Sequence, residues 1–356
     1  MALANRLRKD YAWVKTPLII GAPMRLISLA PLAVRISRAG GIGFIAAGTD
    51  VSTLETELIS AQRLLEENQI PSQSGLPIGV GFINWGADQA VSISLLGRFK
   101  PAAAWFFAPR SVHDLVSWTE QTRTATPTTK VWVQVGCVKD AVEVARACKP
   151  DVLVVQGTDA GGHGLAQGAG IVSLLPEVAD AIEALVKEGT VEETPLLMAA
   201  GGIVEGRGVA AALALGAAGV VMGTRFLASS EATIAAGYRG EVVKASDGGQ
   251  NTVRTKVYDS LRGTTGWSQG YNARGVVNRS YVEALGGLDE EENKKLYEEA
   301  LKKGDAGWGV DGRLATYAGA GVGLVKDVKK AGDIVEEVRA NATGVLERLG
   351  KNSIGK

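Results

Sequence analysis

Two cysteines, two histidines and no surplus of charge are what this 356-residue chain has least of. Cys137 and Cys148 are too few for a disulfide framework or a four-ligand zinc site, so the expectation is a reducing, cytoplasmic setting and no metal. Lys plus Arg and Asp plus Glu both number 38, giving a net charge of zero. No basic block marks a nucleic-acid footprint. No apolar run approaches the roughly 18 residues of a membrane span, and residues 1–16 lack the apolar core of a secretory signal. These absences leave small molecules as the expected partners.

Glycine is what the chain has in excess, 46 residues. That is far too many for a helical bundle, and the glycines gather at the ends of apolar runs without a fixed short period. Strand-like runs occur at 17–20, 42–46, 77–83, 102–107, 130–135, 152–155, 196–199 and 219–222, separated by segments of helical periodicity. Eight such alternations fit a doubly wound sheet, but their number and the late glycine turns favour a (β/α)8 TIM barrel. Between 228 and 311 the rhythm stops, and polar, helical segments predict a small helical insertion domain. The barrel is then 1–227 with 312–356, closed by an amphipathic helix from about 331 to 349.

The stretch 156–164, Gln-Gly-Thr-Asp-Ala-Gly-Gly-His-Gly, follows the β-branched run 152–155. A strand buried on both faces followed by glycines lets backbone approach a ligand closely, and His163 would face that ligand. Two more glycine turns follow strands seven and eight, at Gly201-Gly202 and Gly223-Thr224. In a barrel of this kind those two turns commonly hold a phosphate, while catalytic side chains come from other strand ends of the same face. Gly307 to Gly312 matches a dinucleotide fingerprint by spacing alone, with no strand before it. Gly319 to Gly323 is, by its residues alone, a simple turn. Trp85, Trp105 and Trp267 either line a pocket or pack.

Taken in order, Ala22-Pro23-Met24, Ala160-Gly161-Gly162-His163, Ala200-Gly201-Gly202-Ile203 and Gly223-Thr224-Arg225-Phe226 make the chain resemble the nitronate monooxygenases, a family with a flavin-binding TIM barrel. The resemblance implies FMN as cofactor, contacted by Ala22, Pro23, Met24, Asn84, Gln134 and Gln156, with its phosphate near Gly161, Gly162, Gly201, Gly202, Gly223 and Thr224. It implies His163 as the base that removes the α-proton of a neutral nitroalkane, a task suited to an imidazole near neutral pH. Alkyl nitronates such as propionate 3-nitronate would be oxidised with O2 to a carbonyl compound and nitrite. Residues 228–311 would cap the substrate, Gly319 to Gly323 would return to the barrel mouth, and a homodimer is admitted. Asp159, Gly164, Arg25 and Gln134 stand where relatives often carry Glu, Arg, a small residue and Lys. Relatives sharing the barrel and the Gly-Gly-His turn imply an alternative, an NAD(P)H-dependent FMN reductase of quinones or enoyl thioesters. A flavin-binding protein without turnover is the third reading.

Overall fold

The structure, a computed structural model, describes residues 2–67, 70 and 75–354. Its strands are β1 (Ile19–Gly21), β2 (Phe44–Gly48), β3 (Leu76–Ile83), β4 (Pro101–Phe107), β5 (Lys130–Val135), β6 (Val152–Gln156), β7 (Gly162–Leu165), β8 (Leu196–Ala200), β9 (Gly219–Met222), β10 (Thr252–Thr255) and β11 (Tyr271–Val276). Eight of them form one parallel sheet in the order β1-β9-β8-β6-β5-β4-β3-β2. A parallel bridge between Ile20 and Ile42 brings β1 back to the β2 side, with Ile42 N–H donating to Ile19 O and Gly21 N–H to Ile42 O. The ring is the expected TIM barrel, and every barrel strand overlaps an apolar run of the sequence.

Alternation along the strands sorts the apolar residues into two layers. Ile19, Val133, Leu153 and Val220 face outward and join the residues of the surrounding helices. Ile20, Phe44, Trp105, Trp132, Val154 and Met198 fill the lumen. Successive side chains of a strand point to opposite faces, so a strand buried on both sides reads as an unbroken apolar run. Each fully buried aliphatic or aromatic side chain contributes about 1.5–3 kcal/mol. Trp105 and Trp132 stack within the lumen, their centroids 5.9 Å apart.

The lumen is closed from below by the N-terminal segment. A helix, Ala2–Asp10, delivers Leu7, and the chain beyond it delivers Tyr11 and Val14 into the lumen cluster. Trp132 Nε1 donates to the Tyr11 hydroxyl at 2.7 Å. Lys130 reaches Asp10 at 3.0 Å and Asp151 at 3.4 Å. Lys130 and Asp151 stand at the starts of β5 and β6, so this floor lies at the N-terminal face, away from the strand ends where barrel sites form.

Two expectations about local structure change. The stretch 156–164 is not all turn: β7 begins within it, at Gly162, and pairs antiparallel with β11, which pairs with β10. The segment 228–311 holds these two strands besides helices at Ala236–Lys244, Val257–Arg262, Arg279–Leu285 and Glu290–Lys302. Neither strand stands out in sequence: β10 is four residues with one aliphatic, Val253, the alternation of β11 spans only Tyr271 to Arg274 before Gly275, and β7 is half glycine. The small sheet exists through pairing across distant segments. The C-terminal helix, Ala331–Ile354, buries Ile334, Val335, Val338 and Ala342 against the barrel. Its Arg339 donates to the carbonyls of Pro17, Ala39 and Gly40.

Candidate active site

A cavity of about 700 Å³ opens where the barrel strands end. Ala22, Pro23 and Met24 after β1, Gln134 in β5, Gln156 at the end of β6, and Gly161, Gly162 and His163 around β7 line it. So do Gly201 and Gly202 after β8 and Gly223 and Thr224 after β9. Asn84 stands apart from this wall. Its Oδ1 accepts the Phe107 N–H at 2.8 Å, so its carboxamide joins the ends of β3 and β4.

Close approach explains the glycines. Gly201 and Gly202 adopt φ of 106° and 75°, a region costly for residues with a Cβ. A Cβ on Gly201 would come within 2.8 Å of Gly157 O, and one on Gly161 within 2.5 Å of the Ala318 carbonyl carbon. Gly162, at φ 68°, instead faces open space. The stretch 319–321 does return to the mouth: Gly319 and Gly321 line the cavity, Gly319 N–H donates to Thr224 Oγ1 at 2.9 Å, and Ala320 N–H donates to Asp159 O at 2.9 Å.

The two glutamines are held by their neighbours in complementary ways. Gln134 Oε1 accepts from Trp105 Nε1 at 3.2 Å, so its NH2 keeps donors to give. Gln156 Nε2 donates to His163 O at 3.2 Å, so its Oε1 keeps acceptor capacity.

His163 is gripped on several sides. Its backbone pairs with Ala273 of β11. Its ring stacks on Trp267, centroids 3.8 Å apart and planes 8° from parallel, with the Tyr317 ring at 5.6 Å. Nε2 lies 2.8 Å from Asp259 Oδ1, and the side chain remains 14% exposed. Burial, reinforced by the negative charge of Asp259, pushes the Tyr317 phenol far above its ordinary range, so it stays protonated. Asp259 gave no signal in sequence, because it is separated from His163 by 96 positions and sits in an unremarkable helical segment. Trp267 was visible only as one of three tryptophans that could line a pocket or pack.

The turn before His163 is tied to the small sheet by an arginine pair. Arg254 and Arg274 face each other across β10 and β11, and both Nε atoms donate to Thr158 O, at 3.1 and 3.0 Å. Arg254 also reaches Ala160 O at 3.1 Å. Burial first, and then the charge of Arg274, pulls the Arg254 guanidinium down to about 10, which leaves it cationic at neutral pH. The cavity wall itself carries Arg25 and Arg262, the latter lying over the Tyr317 ring at 5.3 Å. Among the described residues no Asp or Glu lines it. A pocket with cationic and no anionic side chains on its wall favours anionic ligands.

The nitronate monooxygenase family model matches residues 117–341. Nitronate monooxygenase npaC of Metarhizium robertsii is 49% identical over 346 residues, covering 96% of this chain and 95% of that protein. Nitronate monooxygenase of Neurospora crassa is 39% identical over 368 residues, covering 98% and 95%. Among solved structures, FabK from Thermotoga maritima superposes with a TM-score of 0.72 at 24% identity, covering 98% of each chain. Nitroalkane oxidase from Streptomyces ansochromogenes superposes with a TM-score of 0.71 at 23% identity, covering 96% of this chain and 99% of that one. The two structural likenesses speak to the barrel fold.

Proposed function

The chain belongs to the nitronate monooxygenase family, and from that premise we propose that it binds FMN and oxidises small alkyl nitronates, such as propionate 3-nitronate, with O2 to a carbonyl compound and nitrite. The supporting observation is one cavity that combines bare glycine turns, an ordered histidine and an arginine-bearing wall without carboxylates.

The cavity suits a flavin in size and in donors. Its volume falls within the range of about 300–1,000 Å³ usual for cofactor sites. The NH2 of Gln134 and the Oε1 of Gln156 complement the alternating carbonyl and N–H groups of a flavin's pyrimidine edge. Gly161, Gly162, Gly201, Gly202, Gly223 and Thr224 would receive the phosphate, offering backbone N–H groups and one hydroxyl to the anion. When bound, the flavin supplies electron exchange with substrate and oxygen.

The chain's own residues supply binding and proton handling. Arg25 and Arg262 attract the anionic substrate, and residues 228–311 face it through Arg262 to Trp267. His163 accepts the α-proton when the substrate arrives as a neutral nitroalkane. A nitronate has already lost that proton.

Nitrite release by wild type and His163→Asn, from a nitroalkane and from its nitronate, tests this reading. The variant is expected to lose about 10²- to 10⁴-fold on the nitroalkane, the usual contribution of a general base, and far less on the nitronate. Flavin content is measured first. Absence of nitrite from propionate 3-nitronate with flavin-loaded wild type would overturn the proposal.

A further inference from the structure

Stacking on Trp267 fixes the plane of the His163 ring but does not distinguish one nitrogen from the other, since a ring turned over within that plane stacks equally well. A hydrogen-bonding partner does distinguish them. Asp259 Oδ1 lies 2.8 Å from Nε2, and among the described residues no hydrogen bond engages Nδ1. An ionised carboxylate only accepts, so Nε2 must carry the hydrogen. Nδ1 is then the sole lone pair of the neutral ring.

The carboxylate is itself held in place. Asp259 is 5% exposed and lies in the short helix Val257–Arg262, whose end at Gly263 takes φ 68°. The chain folds back from there, so that Thr264 N–H donates to Asp259 O at 2.9 Å and Thr264 Oγ1 to Asp259 Oδ1 at 2.8 Å. Tyr317 OH adds a third donor to Oδ1 at 3.3 Å. All three side-chain donors converge on one oxygen, which fixes that oxygen opposite the imidazole. A carboxylate so oriented sets tautomer and direction of the histidine it touches.

We propose that Asp259 is the positioning residue for His163, holding Nε2–H so that Nδ1 takes the substrate proton. This rests on the reading of His163 as base. The α C–H bond of the nitroalkane breaks, its electron pair becomes the second bond between carbon and nitrogen, and the negative charge moves to the nitro oxygens. The proton goes to Nδ1. The resulting imidazolium keeps its Nε2–H on Asp259, whose charge balances it, and the proton later leaves to water.

The direct measurement is a long-range ¹H–¹⁵N spectrum of protein labelled at its two histidines, of which His113 is exposed and serves as the internal reference. In wild type with the ring neutral, Nε2 of His163 is expected as the protonated nitrogen and Nδ1 as the bare one. Asp259→Asn should shift the ring toward a tautomer mixture and lower kcat/KM on a nitroalkane on the order of 10- to 100-fold, as loss of such partners does elsewhere. Turnover of the preformed nitronate should change little. Protonated Nδ1 in wild type would overturn the proposal, as would an equal loss on both substrates. The spectrum needs no turnover and no variant, so it judges Asp259 even if the reading as a nitronate monooxygenase fails.

Discussion

A single carboxylate separates two outcomes at Gly223. Its φ of −101° is ordinary for any residue, and a Cβ there would meet Ala22 Cβ at 3.6 Å and Met24 Sδ at 3.8 Å, normal contacts. Gly223→Ala is therefore expected to fold and keep its flavin. Gly223→Asp sets a negative charge beside the proposed phosphate position and is expected to fold without flavin, read as the ratio of flavin to protein absorbance. Normal flavin in the Asp variant would place the phosphate elsewhere. Gly201 and Gly202 cannot make this distinction, because their positive φ strains every side chain. At this scale the glycine turns and His163 were legible in sequence, since each is a local signal after an apolar run. Asp259 and Trp267 were not, because the contacts that define them join chain segments about a hundred positions away. Asn84 is held by half of its carboxamide: Oδ1 accepts the Phe107 N–H, while the buried Nδ2 has no partner among the described residues.

Among the elements, the small sheet β7-β11-β10 is what holds the histidine, and Arg254 is its fastening to the preceding turn. Its guanidinium donates to Thr158 O, Ala160 O and Asn272 O. Arg254→Met removes this donor from Ala160 O and Asn272 O, while Thr158 O keeps Arg274, at a cost of about 1–3 kcal/mol. Faster amide exchange at residues 157–165 and weaker flavin retention are expected, with the barrel strands exchanging as in wild type. Unchanged exchange in that stretch would mean that strand pairing alone holds it. The barrel strands could be read because burial on both faces makes them continuous apolar runs. β7, β10 and β11 could not, because they are short and glycine-bearing or poor in aliphatic residues, and their stability comes from pairing across distant segments. The N-terminal floor escaped notice for a related reason: Leu7, Tyr11 and Val14 are too few to show a pattern, and their apolar partners are lumen residues from other strands.

The whole molecule is neutral, yet its cavity is not: Arg25 and Arg262 line the mouth, while Asp259, the carboxylate in contact with His163, is engaged behind that ring. Residues 1–227 supply the glycine turns and His163, and residues 228–311 supply Asp259, Arg262 and Trp267. The site is complete only when both parts meet. The resemblance also implies an NAD(P)H-dependent FMN reductase as the alternative, and the fold alone does not choose between these chemistries. The choice is read by mixing flavin-loaded protein without oxygen, once with propionate 3-nitronate and once with NADH, and following the flavin absorbance. Bleaching by the nitronate and an unchanged spectrum with NADH is the predicted result; rapid bleaching by NADH with no response to the nitronate would contradict the account.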